Sequence, residues 1–448
     1  MLPSLSATSL LIIACYLAEK IPVMLNWTQS EEGFAHCIKS QEISVILTNG
    51  SFFKKIQTPW LKKYEMTFFE ELLKGVSLGK KLTALIKATF FRIPSSLDEK
   101  AVILFTSGSE ALPKAVPLTH QNILQDIKGL MGIVDVKEDG ILLAFLPPFH
   151  SFGFSVNTIL PLVCGLRAVY TPDPNDASLL VNIIQHTKSS ILTSTPTFLK
   201  GIFAIAHNDQ LSSLSLVAVG AEKASEELFH LFSTKAPQAV LLEGYGITEC
   251  SPIIAINPFS PTTKIKKGSV GLPIKGATVK ILDIETDKEC KADQEGMIYI
   301  SGAFVFSGYI DTSIESPFRT ISGKKYYKTG DLGYLDKDGY LYISGRLKRF
   351  VKIAGEMISL PAIEAVLYEK YGSETEMTIA LEAKEYQDGS VKFVVFSIHS
   401  LEVSQINAYL HEKGISNLVR VSDIIVLDEI PLLGTGKTDF MSLRKMIV

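Results

Sequence analysis

The chain has 448 residues, 46% of them hydrophobic and 20% charged, the balance of a globular enzyme with capacity for more than one core. Its 44 basic and 47 acidic side chains leave a net charge of −3, too little positive charge for a dedicated nucleic-acid binder. Five cysteines are scattered without a CxxC pair, which argues against a zinc cluster or a disulfide framework and for a reducing, cytoplasmic compartment.

At the N-terminus, Leu10 to Leu17 is apolar, and Ile12-Ile-Ala-Cys15 resembles a lipoprotein cleavage box. No Lys or Arg precedes it, so the charged region of a secretory signal is missing. Glu19, Lys20 and Pro22 interrupt the stretch well short of the ~18 residues of a spanning helix. The pattern predicts a buried amphipathic helix followed by a strand over Pro22 to Asn26. Peripheral contact with a membrane stays open.

The apolar run Ala101 to Leu104 leads into Phe105-Thr-Ser-Gly-Ser-Glu-Ala-Leu-Pro-Lys114. Thr106, Ser107 and Ser109 offer hydroxyl donors, Gly108 lets backbone N–H groups approach a ligand, and Lys114 supplies a mobile charge. This reads as a phosphate-binding loop, yet neither GxxxxGK[ST] nor GxGxxG occurs here. A second glycine-rich stretch, Pro431-Leu-Leu-Gly-Thr-Gly-Lys-Thr438, lies too near the C-terminus to open a helix of that class.

From 100 to 250, buried-strand patterns alternate with helical ones. Ile141 to Leu146, Ala168 to Tyr170, Ser190 to Thr193, Ser215 to Val219 and Ala239 to Leu242 read as strands. A helix capped by Thr119 carries Ile123, Ile127 and Leu130, and Ala177 to His186 and Ala224 to Phe232 have the same period. Alternation predicts a largely parallel α/β sheet with ligands at the carboxyl ends of its strands.

After about 264, glycines punctuate short strands. Asp338-Gly339 between alternating runs marks a hairpin over Gly333 to Ile343. Beyond Gly345, a helix capped by Ser359, paired strands, a helix near Ile406 to Leu410 and a strand over Ile424 to Leu427 make a separate α+β unit. The predicted fold class is α/β: a large N-terminal domain (1–345) of α/β sheet subdomains with a small β subdomain at 264–345, and an α+β C-terminal domain (346–448).

Further motifs occur in order: Gly220-Ala-Glu222, Gly244-Tyr-Gly-Ile-Thr-Glu249, Tyr327-Lys-Thr-Gly-Asp331, Gly345-Arg-Leu-Lys-Arg349 and Gly434-Thr-Gly-Lys437. Together they resemble the adenylate-forming (AMP-binding) superfamily over essentially the whole chain. Val23-Met-Leu-Asn-Trp27, Thr106-Ser-Gly-Ser-Glu110, Ala115 to His120 and Lys352-Ile-Ala-Gly-Glu-Met357 look like the acyl-[acyl-carrier-protein] synthetases within it.

The resemblance implies that ATP, with Mg2+, activates a fatty acid as its adenylate, which passes to the phosphopantetheine thiol of holo-acyl carrier protein. A fatty acyl-CoA synthetase is the alternative, and a catalytically impaired acyl- or nucleotide-binding protein a second one. It also implies residue roles. Thr106, Ser107, Gly108, Ser109 and Lys114 would hold the β/γ-phosphates; Thr248 would contact the α-phosphate and Glu249 the metal. Tyr245 would stack on adenine, with Gly220, Ala221, Glu222 and Gly246 alongside. Asp331 and Arg346 would bind ribose, Lys437 would neutralise charge during adenylation, and His150 would border the acyl site. A mobile C-terminal domain would turn about Lys348, bringing a pantetheine tunnel at Gly355. Arg346, Lys348, Arg349 and Lys352, with Lys264, Lys266 and Lys267, form the expected basic face for an acidic carrier.

Two departures stand out. Glu110-Ala111 replaces the Thr-Gly of the superfamily loop, and Ala111 is expected to reduce its conformational freedom. The resemblance also implies a longer segment ahead of Met1, with Leu2 to Ser4 as the end of its strand and an apolar face uncovered without it.

Overall fold

Apolar runs that alternate in side-chain direction can bury both faces of a sheet, and here they do. A computed structural model describes residues 1–56, 58–90, 99–106, 112–136, 139–260, 263–353, 356–373, 377–386, 391–432 and 438–447. Its largest sheet has seven strands, in spatial order Leu272–Pro273, Ile253–Ile256, Val240–Gly246, Leu216–Val219, Ile191–Ser194, Ile141–Ala144 and Arg167–Tyr170. The last five run parallel, and the first two are antiparallel additions at one edge.

The two faces have different tasks. Leu143, Leu192, Val217, Val219 and Leu241 pack on one side with Leu180, Ile184, Ile202, Phe203, Leu228 and Phe232, which belong to the helices Ala177–Thr187, Pro196–Ile205 and Glu226–Lys235. Each helix begins at a side-chain cap: Asp176, Thr195 and Ser225 accept from Leu179, Phe198 and Leu228 N–H. Leu142, Ile191, Leu216, Ala218 and Leu242 face the other way and line a cavity. The parallel α/β sheet is therefore as the alternation predicts.

The stretch at Lys100–Phe105 is different. It forms an antiparallel pair with Ala115–Thr119, Phe105 opposite Ala115, as a two-stranded sheet of its own. The 106–114 loop is thus a hairpin connection and not the strand-to-helix turn of a parallel sheet. Thr119 then caps His120–Leu130 in a reciprocal box with Asn122.

The predicted strand over Pro22 to Asn26 reduces to a single bridge, Val23 to Ile103; Pro22 has no N–H to contribute to a ladder. Leu2 to Ser4 is buried but lies in no strand, with Pro3 likewise lacking a donor and Ser4 Oγ donating to Ala144 O at 2.8 Å. The helix Ser6–Leu17 forms, but Leu10 and Leu17 point to solvent while Thr8, Ser9 and Ile12 are buried, so its burial is partial.

The predicted β region is a five-stranded antiparallel sheet of Thr278–Leu282, Gly296–Ser301, Lys324–Leu335, Phe318–Ile321 and Leu341–Arg346. Leu335 pairs with Leu341. Asp336 closes the loop between them, accepting from Asp338 N and Tyr340 N at 2.9 Å each, which makes it longer than a two-residue turn. Beyond it come a hairpin of Phe350–Ile353 with Glu356–Ser359, and a three-stranded sheet of Ile379–Glu385, Val391–Ser397 and Val421–Val426. The helices Leu360–Tyr371, Val403–Glu412 and Phe440–Lys445 cover that sheet. The molecule is mixed α/β with a large N-terminal and a smaller C-terminal domain.

Candidate active site

The parallel strands end where the motif residues begin. Gly220 and Ala221 follow Leu216–Val219, and Val240–Gly246 runs directly into Ile247, Thr248 and Glu249. They border a cavity of about 450 Å³ that also meets Thr106, Lys114, His150, Tyr245, Arg346 and Lys348. Ligands at the carboxyl ends of parallel strands are the general rule for such sheets.

Backbone geometry at this end is tightly constrained. Gly246 passes so close to the next strand that a Cβ would lie 2.2 Å from Pro252 O. Ala221 adopts φ +72°, a left-handed conformation that costs an L-residue about 1–2 kcal/mol. Ahead of the site, the helix after His150 widens over Gly153–Ile159 with i→i+5 bonding. His150 Nδ1 accepts from Phe152 N at 3.4 Å, and Ser151 Oγ lies 3.3 Å from Thr248 Oγ1.

The ends of the hydroxyl-rich loop are clasped. Lys114 N donates to Thr106 Oγ1 at 3.0 Å and Thr106 N donates to Lys114 O at 3.1 Å. The Lys114 ammonium sits 4.9 Å from the centre of the Tyr309 ring. Tyr309 in turn donates to Glu249 Oε1 at 2.7 Å and lies 3.4 Å from the Tyr327 hydroxyl. Burial, followed by the Glu249 charge, pushes the Tyr309 phenol well above its usual range, so it remains a donor. A carboxylate, a phenol and an ammonium thus stand together at the cavity wall. Sequence reading missed Tyr309; a Tyr after Ser307-Gly308 carries no distinguishing signal.

Asp331 lies within Lys324–Leu335 and is 3% exposed. Tyr245 donates its phenol hydrogen to Asp331 Oδ2, and Arg346 Nε approaches Oδ1 at 3.2 Å. Burial raises the Tyr245 pKa first and Asp331 raises it further. Tyr245 therefore engages the expected ribose carboxylate directly. Two of the described predicted residues do not line the cavity: Asp331 lies just behind its wall, next to Gly330 and paired with Arg346, whereas Glu222 turns elsewhere, its Oε2 accepting from Thr197 N and Oγ1 at 3.2 and 2.7 Å. The open N-terminus of the helix Pro196–Ile205 draws that carboxylate away. Ser107, Gly108, Ser109, Glu110, Ala111, Gly355 and Lys437 lie outside the described residues.

Beneath the site, Asp126 is fully buried. Its Oδ1 accepts from Ile253 N at 3.0 Å, and its Oδ2 has no hydrogen-bond partner. Burial pushes its pKa well up, so the neutral acid is the form that suits this position.

The sequence-predicted basic face is largely neutralised. Arg349 is 6% exposed, with Nη2 2.9 Å from Glu364, Nε 3.7 Å from Glu382 and its guanidinium stacked 3.5 Å from the Phe440 ring centre. Lys266 reaches Asp336 and Asp338 at 2.6 Å each, Lys267 pairs with Glu226, and Lys352 pairs with Glu285 at 2.8 Å. These partners lie far away in sequence, so a run of lysines read alone overstated the free positive charge.

A hard cation beside a phosphate needs oxygen ligands, and Mg2+ commonly takes only one or two from protein. The Glu249 carboxylate, buried at the cavity wall with Tyr309 on Oε1, suits that demand. Among the described residues no cluster of three or more metal-binding side chains occurs, so further ligands would come from phosphate oxygens and water.

The chain resembles 4-coumarate–CoA ligase of Vanilla planifolia, 29% identical over 362 residues, 77% of this chain and 64% of that protein. 4-Coumarate–CoA ligase 2 of Nicotiana tabacum is 29% identical over 76% of this chain and 64% of its own length. The chain thus spans a little under two thirds of the length of these two relatives. Among solved structures, ATP-bound MatB from Rhodopseudomonas palustris superposes with TM-score 0.80 at 23% identity, covering 98% of this chain and 86% of that one. O-succinylbenzoate coenzyme A synthetase from Bacillus subtilis, in complex with ATP and magnesium ion, gives 0.79 at 22%, covering 99% and 88%. These likenesses establish a shared fold. The AMP-binding enzyme family matches residues 1–310, more than half of the chain, and the protein belongs to that family.

Proposed function

We propose that this chain is an ATP-dependent acid–thiol ligase for apolar carboxylic acids, with coenzyme A as the thiol acceptor. The observation that carries this reading is the cavity itself. One end meets Thr106, Lys114, Thr248 and Glu249, and the other is walled by Leu142, Ile191, Leu216 and Leu242 with Leu130 and Val134. A polar head and an apolar arm in one cavity suit a fatty acid lying with its carboxylate toward a nucleotide.

In the first step a carboxylate oxygen attacks the α-phosphorus of ATP, and the bond to the diphosphate oxygen breaks. Both reactants are anionic, so donors and cations must lower the developing charge. Thr106 and Lys114, with Ser107, Gly108 and Ser109, hold the β/γ-phosphates. Thr248 binds the α-phosphate, and Glu249 is the protein ligand for Mg2+, which when bound screens phosphate charge. Asp331 and Arg346 hold ribose, while Gly220, Ala221, Tyr245 and Gly246 form the adenine wall. Lys437 supplies positive charge at the reacting oxygens, and His150 borders the acyl carboxylate. In the second step a thiolate attacks the acyl carbon, AMP departs with the bonding pair, and the thiol proton goes to solvent. The domain boundary falls at 345/346, and rotation about Lys348 brings the thiol channel near Gly355 into place.

The names of the relatives support coenzyme A as acceptor. Acyl carrier protein is the second reading, favoured by Thr106-Ser-Gly-Ser-Glu110 and Lys352-Ile-Ala-Gly-Glu-Met357; the ion-paired lysines weaken the docking argument for it. Fatty acids of graded length and 4-coumarate, offered with ATP, coenzyme A and holo-carrier protein side by side, test both. Acid-dependent exchange of diphosphate into ATP and an acyl-CoA product are expected. Absence of exchange with every acid overturns the ligase reading, and acyl-carrier product alone reverses the acceptor.

A further inference from the structure

The helix Leu78–Phe90 has an unusual surface. Every residue from Leu78 to Ile86 is exposed, including Leu78 at 85%, Leu82 at 59%, Leu85 at 64% and Ile86 at 53%. At 3.6 residues per turn those four side chains fall within an arc of about 100°, a continuous apolar stripe. The same spacing puts Lys80 on the opposite face and Lys81 on the flank. Within the helix, Lys80, Lys81 and Lys87 are the only charged residues; Glu70 and Glu71 precede it and Asp98 and Glu99 follow it in sequence. The preceding helix, Phe69–Lys74, adds an exposed Leu72 and Lys74 together with an exposed Glu71.

Water is a poor partner for such a stripe, and burying it is worth free energy roughly in proportion to its area. The charge pattern selects what buries it. A second copy would bring two basic segments together, which like charges oppose. An anionic lipid surface offers a hydrocarbon boundary for the leucines and headgroups for the lysines. Among the described residues no helix is long and apolar enough to cross a membrane, so this helix would lie on the surface and not span it.

We infer that Leu78–Phe90 is a membrane-docking helix that lays Leu78, Leu82, Leu85 and Ile86 into the headgroup boundary of an anionic bilayer. The inference rests on this helix alone and stands whether or not the ligase reading does.

Full-length protein is sedimented with phosphatidylglycerol-containing vesicles and with pure phosphatidylcholine vesicles. Preferential binding to the anionic vesicles, weakened by 0.5 M salt, is expected. Leu82→Asp combined with Leu85→Asp should lower the partition coefficient by about tenfold or more, and Lys80→Glu with Lys81→Glu should abolish the anionic preference. All four side chains are exposed, so melting curves should match the unaltered protein. Failure of the unaltered protein to bind, undiminished binding by the Leu82/Leu85 variant, or a dimer in ultracentrifugation that the same variant disperses would each overturn the inference.

Discussion

At the scale of single residues, the informative side chains are those held in forms or conformations they do not ordinarily adopt. The carboxyl of Asp126 is buried with one oxygen unpartnered, and desolvation raises its pKa. The native state therefore holds a proton that the unfolded chain releases above about pH 4. Stability is fully present below that pH and falls as pH rises toward the native pKa. Asp126→Asn keeps the shape and removes this penalty. The melting temperature of the variant should match the original near pH 4 and exceed it increasingly toward pH 8. A constant offset across that range would refute the assignment. Ala221 gives a second case: Ala221→Gly relieves a left-handed φ of +72° but adds unfolded-state entropy. A net gain of about 0.5 kcal/mol in denaturant unfolding is expected, with ATP affinity reduced if the strained backbone positions the adenine wall.

At the scale of elements, the loop at 106–114 and the segment after Gly345 show how local pieces are anchored. The first hangs from a hairpin whose strands are buried at almost every position, so its clasp between Thr106 and Lys114 sits on a firm base. The second is fixed by Arg349, which lies between Glu364 and Glu382, while Arg444 Nε pairs with Glu382 at 2.7 Å. Burial is the leading influence on Glu364 and raises its pKa, with Arg349 opposing it. Glu382 is fully buried, and truncating it leaves the buried Arg349 with Glu364 as its remaining carboxylate. Glu382→Ala should cost about 3 kcal/mol, the lower end for breaking a buried pair because Arg349 keeps Glu364. Thermal or urea unfolding reads this, and a cost under about 1 kcal/mol would show that the cluster is not an anchor. Lys348, immediately before this anchor and at the cavity wall, is well placed for the proposed rotation.

At the scale of the whole molecule, the cavity follows the sheet. Leu216, Ala218 and Gly220 share one face of a strand, as do Leu242, Gly244 and Gly246, and all six line it. Four residues of strand from Leu216 to Gly220 span about 13 Å, which gives the apolar arm its depth. Leu216→Trp should fill the far end and move the chain-length optimum of diphosphate exchange toward shorter acids, leaving exchange with short acids intact. An unchanged optimum would place the acyl chain elsewhere.

Much of this architecture was legible because parallel strands, buried on both faces, appear as continuous apolar runs, as at Ile141–Ala144 and Leu216–Val219. The same property misled at Ala101 to Phe105, where a buried antiparallel hairpin has the same appearance. The motif residues Thr106, Lys114, Tyr245, Thr248, Glu249, Asp331 and Arg346 were found as ordered signatures, and the fold brings them to one cavity wall or its edge. Tyr309 and Asp126 were not legible: a lone tyrosine and a lone aspartate acquire meaning only from Glu249 and from the Ile253 backbone, more than fifty residues away in each case. The position of Glu222 was not legible for a similar reason, since Thr197 on another element engages its carboxylate.

The Tyr245–Asp331 hydrogen bond has a kinetic consequence. If Asp331 is the ribose carboxylate proposed above, an arriving ribose hydroxyl meets oxygens already engaged by Arg346 on one side and the Tyr245 phenol on the other, and competes with an internal donor for them. Arrival of a nucleotide then becomes a two-stage event, with a collision followed by a slower exchange of partners. Observed rates in stopped-flow binding should level off at high ATP. Tyr245→Phe should remove that plateau and leave a linear dependence on concentration.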